Sequence, residues 1–274
     1  NEIERKISKP DRLHNIAKDR YMSSMPDTQS TIDADDISRF NSQAGQWWDP
    51  DGPMKPLHLF TPVRLEYILA AARRTGLTAD RPNRLLPLDG RKVLDVGCGG
   101  GLLAEPLCRL GAEMTAIDAS QGAIDVAKAH AASQGLSITY QNIPIETLAK
   151  TPSMQEKFDL IYASEIIEHV NNRHQFLQSM RRLLKADGVI IFTTINKTVP
   201  ALLLAKFAAE YILNLVPRGT HQFEKFIRPE QLQRECADAG ILIDDITGFI
   251  PTTQGGFRFS SVTAVNYGAS GQLA

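Results

Sequence analysis

The sequence predicts an α/β fold with a seven-stranded, mostly parallel sheet, a C-terminal antiparallel hairpin and helices on both faces. Two observations predict this fold. Short apolar runs of strand length alternate with helix-length segments between about residue 92 and residue 194, and parallel strands need such crossovers. One of these runs, Val93–Val96, leads into Gly97–Gly101, a loop almost without side chains, and then into a helix. Ligands of open parallel sheets bind beyond the carboxyl ends of the strands, so this loop marks the expected binding edge.

The individual elements follow from apolar periodicity and from turn residues. A helix begins near Thr61–Pro62, because proline suits a first helical turn. A turn at Ala186–Gly188 precedes the last parallel strand, and Pro229–Ala239 forms a further helix before the hairpin of Ile241–Phe249 and Phe257–Asn266. The predicted parallel strands are Lys92–Val96, Glu113–Ile117, Ile138–Gln141, Phe158–Ala163 and Val189–Thr194, and the helices between them are Leu102–Leu110, Gln121–Gln134, Ile145–Lys150 and Arg173–Leu184.

The domain organisation is one globular domain over residues 37–267, with a polar, flexible extension over 1–36 and a frayed tail over 268–274. A hydrophobic content of 43% is ordinary for a soluble domain, and a net charge of −1 excludes a general nucleic-acid binder. Three cysteines without C-x-x-C spacing indicate a reducing compartment. No apolar stretch reaches the roughly 20 residues of a transmembrane helix. A removed targeting peptide stays open, because the chain begins at Asn1.

The glycine loop is the first candidate site. Glycine allows close backbone approach, and the helix that follows supplies free N–H groups. A dinucleotide fingerprint would need a third glycine where Leu102 stands. Asp95 would crowd a pyrophosphate but would accept a hydrogen bond from an ammonium group, and Asp118 suits ribose hydroxyls. S-adenosylmethionine carries an ammonium and no phosphate, so the pattern resembles class I S-adenosylmethionine-dependent, Rossmann-like methyltransferases. The alternatives are a simple tight turn and a nicotinamide dehydrogenase.

Other candidates lie at the same edge or near it. Four further cofactor candidates, Gly97, Gly99, Ile145 and Ser164, belong to the loop or follow the ends of predicted strands. Arg64 has the planar guanidinium that grips a carboxylate in a bidentate manner, although a surface salt bridge is an equal alternative. The pair Trp47-Trp48 is interpreted as a lid packed on the core, at least for one of the two rings.

An acidic motif follows the predicted strand Phe158–Ala163. Glu165, Glu168 and His169 share one face if this stretch forms a helical turn. Two carboxylates and an imidazole suit a divalent cation, whereas acid–base or structural roles stay open. Farther along, residues 199–216 are strongly apolar and have basic residues nearby. The apolar stretch predicts either a buried core helix or, alternatively, a membrane-surface segment or a lid over an apolar substrate.

Several longer segments carry a closer resemblance. The chain resembles the ubiquinone-biosynthesis O-methyltransferases from Ile37 to Tyr267. The most specific matching segments are Trp47-Trp48-Asp49, Lys55-Pro56-Leu57-His58, Pro217-Arg218-Gly219-Thr220-His221 and Lys225-Phe226-Ile227-Arg228-Pro229. The resemblance implies methylation of a polyprenyl catechol early in the pathway and of demethylubiquinol late in it. The acceptor could instead be another small catechol or phenol, or the chain could be a non-catalytic scaffold subunit.

The resemblance also implies site residues. Arg64, Gly97, Asp118 and Ser164 would contact S-adenosylmethionine. Magnesium (Mg²⁺) would be bound by Glu165, Glu168 and His169. The general base would be His169, or His221 if His169 binds the metal. The implied setting is a bacterial cytoplasm or the matrix face of the mitochondrial inner membrane, with peripheral membrane contact through residues 199–226 and a ubiquinone-biosynthesis complex as partner.

Overall fold

The computed structural model describes residues 44–78, 85–198, 225–253 and 255–274. Within these ranges, eight strands form one sheet in the order β3-β2-β1-β4-β5-β8-β6-β7. The first five in this order are parallel to one another. The last three are antiparallel, so the sheet is mixed and the α/β prediction is confirmed. None of the helices in these ranges is long and apolar enough to cross a membrane.

The parallel half agrees closely with the predicted rhythm of strands and helices. Its central strands β1 and β4 are buried on both faces and therefore consist of nearly continuous apolar residues, whereas the edge strand β3 is mostly polar. The strands are β1 (Lys92–Val96), β2 (Glu113–Asp118), β3 (Thr139–Asn142), β4 (Phe158–Ser164) and β5 (Leu184–Ile195). The helices are α1 (Lys55–Arg74), α2 (Ala104–Arg109), α3 (Gln121–Ser133), α4 (Ile145–Leu148), α5 (Arg173–Leu183) and α6 (Pro229–Asp238).

The C-terminal strands differ from the prediction. The strands are β6 (Ile241–Thr252), β7 (Gly256–Ser260) and β8 (Asn266–Leu273). The hairpin of β6 and β7 does form the sheet edge, but the tail expected to fray is β8, inserted between β5 and β6. The seven-strand count and the frayed tail were therefore wrong. The segment was overlooked because Tyr-Gly-Ala-Ser-Gly-Gln is small and polar, yet Tyr267 and Ala269 are fully buried between two neighbouring strands.

Two predicted boundaries also move. Helix α1 begins at Lys55 rather than near Thr61, with Pro56 in its first turn and Pro62 inside the helix. The turn expected at Ala186–Gly188 is a bulge within β5, because Phe158 of β4 pairs with Leu184 while Leu160 pairs with Val189. A bulge and a turn use the same residue types, so sequence alone does not separate them.

The sheet divides the core into two layers. Helices α1, α2 and α3 cover one face, where Tyr67, Leu107 and Ile124 are fully buried or nearly so. Helices α5 and α6 cover the other face, with Met180 and Leu232 fully buried. All the candidate site residues at the carboxyl ends of β1, β2 and β4 therefore rest on a sheet that is packed on both sides.

Candidate active site

The glycine loop connects β1 to α2 and is shaped by its neighbours as much as by its glycines. Gly97 and Gly99 adopt positive φ angles of 75° and 52°. A Cβ on Gly97 would overlap the side chain of Ile166, and one on Gly99 or Gly100 would overlap Trp47. Trp47 is only 6% exposed, which confirms that at least one ring of the tryptophan pair is packed on the core. The loop therefore needs glycine first of all because protein side chains lie against it.

Asp95 lies in β1, two residues before the loop, and its side chain is 2% exposed. It pairs across the sheet with Tyr162 of β4. Burial raises the pKa of Asp95 to about 7; Asp118 acts in the same direction, whereas Tyr162 and Arg64 act against it. A buried carboxyl with such a pKa gains greatly from a cationic partner. The position thus suits the ammonium group for which Asp95 was predicted.

Asp118 ends β2 and ties that strand to the glycine loop. One carboxylate oxygen, Oδ2, accepts the backbone N–H of Gly99 at 2.8 Å, and Oδ1 accepts the N–H of Ser120 at 2.8 Å. Burial raises the pKa of this carboxyl, and the two backbone hydrogen bonds oppose the rise. Each carboxylate oxygen keeps a second lone pair for a ligand hydroxyl. Asp118 is accordingly held at the loop in a conformation that can accept ribose hydroxyls.

Arg64 of α1 reaches the carboxyl end of β4. Its side chain is buried, and Nη1 donates to Ser164 Oγ at 2.9 Å. The other terminal nitrogen, Nη2, donates to Thr61 Oγ1 at 2.9 Å and to the carbonyl of Leu57 at 3.1 Å. Its Nε is buried without a hydrogen-bond partner. Arg64 interacts electrostatically with Glu165 and Asp95, so it is an inward-facing cation and the alternative of a surface salt bridge is wrong.

The acidic motif has a different geometry from the one expected. Glu165 adopts a left-handed conformation with φ 57°, and a short 3₁₀ helix, Ile167–His169, begins after it. The three candidate metal ligands therefore do not lie on one helical turn. Thr193 donates to Glu165 at 3.0 Å, while Thr194 donates to the buried Glu168 at 2.8 Å. Two threonines of β5 thus hold the two carboxylates.

The carboxylates of Glu165 and Glu168 repel each other. Burial raises the pKa of Glu165 to about 7, and the charge of Glu168 adds to this rise. Burial also raises the pKa of Glu168, against the opposing effect of His169. Successive strand residues point to opposite faces, so Thr193 and Thr194 draw the two acids apart. Consistently, no three His, Cys, Asp or Glu side chains within the described ranges are grouped in a way that would hold a metal ion.

Of the two remaining predicted residues, only Ile145 lies within the described ranges. Ile145 begins the short helix α4 and is 4% exposed in the core layer against α5. His221, the apolar segment 199–216 and the extension 1–36 lie outside the described residues. Thr193, Thr194, Tyr162 and Ile166 were not predicted as site residues. The first three lie in apolar strand sequences, and only the folded structure shows that the two threonines bind the glutamates and that Tyr162 pairs with Asp95.

Several solved structures with similar folds are methyltransferases. A methyltransferase from Clostridium acetobutylicum that depends on S-adenosylmethionine superposes with a TM-score of 0.57 at 16% identity, covering 86% of this chain and 99% of that one. The magnesium protoporphyrin IX methyltransferase of Synechocystis with bound S-adenosylmethionine gives 0.52 at 17% identity, covering 90% and 100%. These similarities confirm the class I S-adenosylmethionine-dependent methyltransferase fold.

Sequence relatives decide the family. The methyltransferase domain model matches residues 69–244. The ubiquinone biosynthesis O-methyltransferase of Chelativorans sp. (strain BNC1) is 44% identical over 230 residues, which are 82% of this chain and 88% of that protein. The chain belongs to the ubiquinone biosynthesis O-methyltransferase family. A family member from Glaesserella parasuis is 43% identical over 80% of this chain and 89% of its own. The protein is thus an O-methyltransferase that uses S-adenosylmethionine, and the dehydrogenase alternative is excluded.

Proposed function

We propose that this O-methyltransferase methylates polyprenyl catechols at two steps of ubiquinone biosynthesis. The early acceptor is a 2-polyprenyl-6-hydroxyphenol or the corresponding dihydroxybenzoate, and the late acceptor is demethylubiquinol. One observation carries the proposal: Arg64, Asp95 and Asp118 surround the glycine loop in a chain that is 44% identical to a ubiquinone biosynthesis O-methyltransferase. That relative acts in ubiquinone biosynthesis by its name, which supports a polyprenyl phenol as the acceptor.

We further propose how the cofactor is held. Asp95 accepts from the ammonium group, Arg64 binds the carboxylate of the amino-acid end, and Asp118 accepts from the ribose hydroxyls. The unpartnered, buried Nε of Arg64 supports its role, because a buried guanidinium N–H that lacks a partner gains much from a carboxylate. Gly97, Gly99 and Ser164 are proposed to line the same site, and Ile145, which follows β3, is proposed as a further cofactor contact.

The reaction joins the acceptor oxygen to the methyl carbon while the bond from that carbon to the sulfonium breaks. S-adenosylhomocysteine leaves as a neutral thioether, and the phenolic proton must pass to a base. His169 follows the acidic pair at the carboxyl edge of β4 and is the proposed base, with His221 as the second candidate. The greatest contribution to rate comes from holding the two reactants in line, because close, oriented approach removes much of the entropic barrier.

Magnesium remains a prediction that rests on the family resemblance. Within the described residues, Glu165, Glu168 and His169 are not grouped as a three-ligand metal site. No step of the mechanism is therefore assigned to a metal. A divalent cation would nevertheless relieve the repulsion between Glu165 and Glu168, which gives a direct way to test for it. A partner complex of the same pathway is likewise part of the proposal.

The apolar segment 199–216 is proposed to contact the bilayer surface, since a polyprenyl tail is insoluble in water. Replacing Leu203 and Leu204 by aspartate should weaken the partition constant onto liposomes by more than about a hundredfold, because each buried leucine contributes about 1.5–3 kcal/mol of apolar transfer. Leu242, which is 57% exposed on β6, provides the matched control when changed to aspartate. Unchanged liposome binding of the Leu203→Asp, Leu204→Asp variant would contradict a membrane role.

The decisive experiment measures methyl transfer from labelled S-adenosylmethionine to a short-chain prenyl catechol and to the same catechol without the prenyl chain. We expect a strong preference for the prenylated acceptor. Equal rates would favour the alternative of another small catechol, and cofactor binding without turnover on any acceptor would favour the scaffold alternative. Parallel assays in magnesium and in EDTA test the metal prediction separately, because activity that EDTA leaves unchanged contradicts only the metal.

A further inference from the structure

Trp48 makes a long-range contact with the glycine loop. Its indole Nε1 donates to the carbonyl of Gly100 at 2.9 Å, although the two residues are 52 positions apart. The neighbouring Trp47 covers Gly99 and Gly100, as the overlap of a Cβ at either position shows. The tryptophan pair therefore holds the loop from outside, through one hydrogen bond and one packed ring.

Trp48 is itself held in place by His130, which is held in turn by Glu105. Its indole stacks on the imidazole of His130, with ring centroids 3.5 Å apart and planes only 6° from parallel. The Nδ1 of His130 lies 2.7 Å from the carboxylate of Glu105, whose side chain is 3% exposed. Glu105 lies in the first turn of α2, directly after the loop, and its backbone N–H binds the carbonyl of Gly101 at 3.1 Å. The contacts thus run from Gly100 through Trp48, His130 and Glu105 back to Gly101, so both ends of the network lie on the loop.

We propose that Trp48 is a positioning residue for the cofactor loop, oriented by His130 and Glu105. The inference rests on the proposed assignment of the glycine loop as the S-adenosylmethionine site. Trp48 needs no contact with the cofactor for this role. It acts through the Gly100 carbonyl, because its hydrogen bond to this carbonyl fixes the backbone of the loop on which the cofactor is proposed to lie.

The physical reason is entropic. Five residues, Gly97–Gly101, contain four glycines, and glycine loses more backbone freedom on ordering than any other residue. If the cofactor had to order this loop, the cost would reduce its affinity. A hydrogen bond and a stacked indole order the loop during folding instead. Removing them should therefore weaken cofactor binding while it leaves the chemical step nearly unchanged.

The test is a double-mutant cycle on the dissociation constant of S-adenosylhomocysteine, measured by titration calorimetry. Trp48→Phe removes the indole N–H and should weaken binding about threefold to tenfold, as expected for one hydrogen bond. His130→Ala should weaken binding about twofold to fivefold, by release of the stacked ring. The double variant should bind no more weakly than Trp48→Phe alone, because coupled residues are not additive. The KM for S-adenosylmethionine should rise in parallel, with kcat changed less than about twofold.

Each outcome has a defined meaning. An unchanged dissociation constant in Trp48→Phe overturns the proposal, and additive effects overturn the role of His130. If Trp48→Phe fails to fold, His130→Ala decides, because the His130 side chain is 27% exposed. Asp118→Ala separates this test from the proposed function. Loss of binding in Asp118→Ala together with normal binding in Trp48→Phe rejects only the positioning role, whereas normal binding in both rejects the loop as the cofactor site.

Discussion

The proposed cofactor side and the proposed acceptor side of this site are built in opposite ways. On the cofactor side, Asp118 and Arg64 are already bound to the loop and to β4 by hydrogen bonds of 2.8 and 2.9 Å. On the acceptor side, Glu165 and Glu168 are two buried carboxylates whose pKa values are both raised, and each raises the electrostatic cost of the other. The first side is ready for its ligand, while on the second side Arg64 and His169 offset the charge of the acidic pair only in part.

This difference indicates where each half obtains its order. The cofactor half is ordered by backbone geometry, since strand ends and a glycine loop place its residues. The acceptor half depends on what neutralises the acidic pair: a proton, a cation or the acceptor itself. Changes on the two sides should therefore have different effects, and the following predictions test that separation.

The largest effect is expected from Asp118→Ala. The change removes the proposed acceptor of the ribose hydroxyls and also the partner of the Gly99 N–H. Charged hydrogen bonds contribute about 1.5–3 kcal/mol each, so the KM for S-adenosylmethionine should rise about a hundredfold, with little change in the KM of the acceptor. Initial rates at varied concentrations of both substrates measure this. Asp125→Ala, an exposed aspartate of α3, is the matched control and should behave as wild type. Equal effects on both KM values would contradict the separation of the two sides.

The same contrast explains how far the sequence could predict the site. Gly97, Asp118 and Ser164 were correctly predicted to lie at strand ends, because apolar runs locate strands and parallel topology aligns their ends. The geometry of Glu165 and Glu168 was not predicted, because it depends on a left-handed residue and on Thr193 and Thr194 of a neighbouring strand. Such contacts are set by register, which a local sequence pattern does not contain.

The fold shows the same limit. The parallel strands have strong apolar runs, so β1 was predicted with its exact bounds. Strand β8 lacks such a run, because Gly268 and Gly271 lie where β5, β6 and α1 come close. A Cβ on Gly268 would overlap Tyr67, and one on Gly271 would overlap the carbonyl of Leu242. Small residues that are required by tertiary packing look like a polar tail when they are viewed in sequence alone.

A smaller effect, confined to the cofactor side, is expected from pH. Asp95 has a raised pKa of about 7 in the free protein, so below that pH it is mostly protonated and cannot pair with an ammonium group. The dissociation constant of S-adenosylhomocysteine should therefore increase up to about tenfold per pH unit below 7 and be constant above it. Calorimetry at pH values from about 5.5 to about 8.5 measures this dissociation constant. Asp95→Asn should flatten the profile, and a flat wild-type profile would contradict an ionic role for Asp95.

The smallest effect is expected on stability, and it belongs to the acceptor side. Glu165 binds its proton more tightly in the folded protein, with a pKa of about 7 against 4.5, so its folded-state stability is fully present at low pH. That stability is lost as pH rises from about 4.5 to about 7. Glu165→Gln keeps the shape but not the charge, so its Tm should exceed that of wild type by a few degrees at pH 8 and not at pH 4.

The same Tm measurement, repeated with magnesium, tests whether a cation or a proton neutralises Glu165 and Glu168. If a divalent cation binds between Glu165 and Glu168, it should raise the Tm of wild type at pH 8 toward that of Glu165→Gln and leave the variant unchanged. Thr193→Val is the informative comparison, because it keeps both carboxylates and removes the hydroxyl that donates to Glu165. A wild-type Tm that is insensitive to magnesium, with Glu165→Gln still the more stable protein at pH 8, would mean that the pair is neutralised by a proton. The acceptor side would then differ from the cofactor side because one acid of the pair is protonated, and therefore neutral, when no cation is bound.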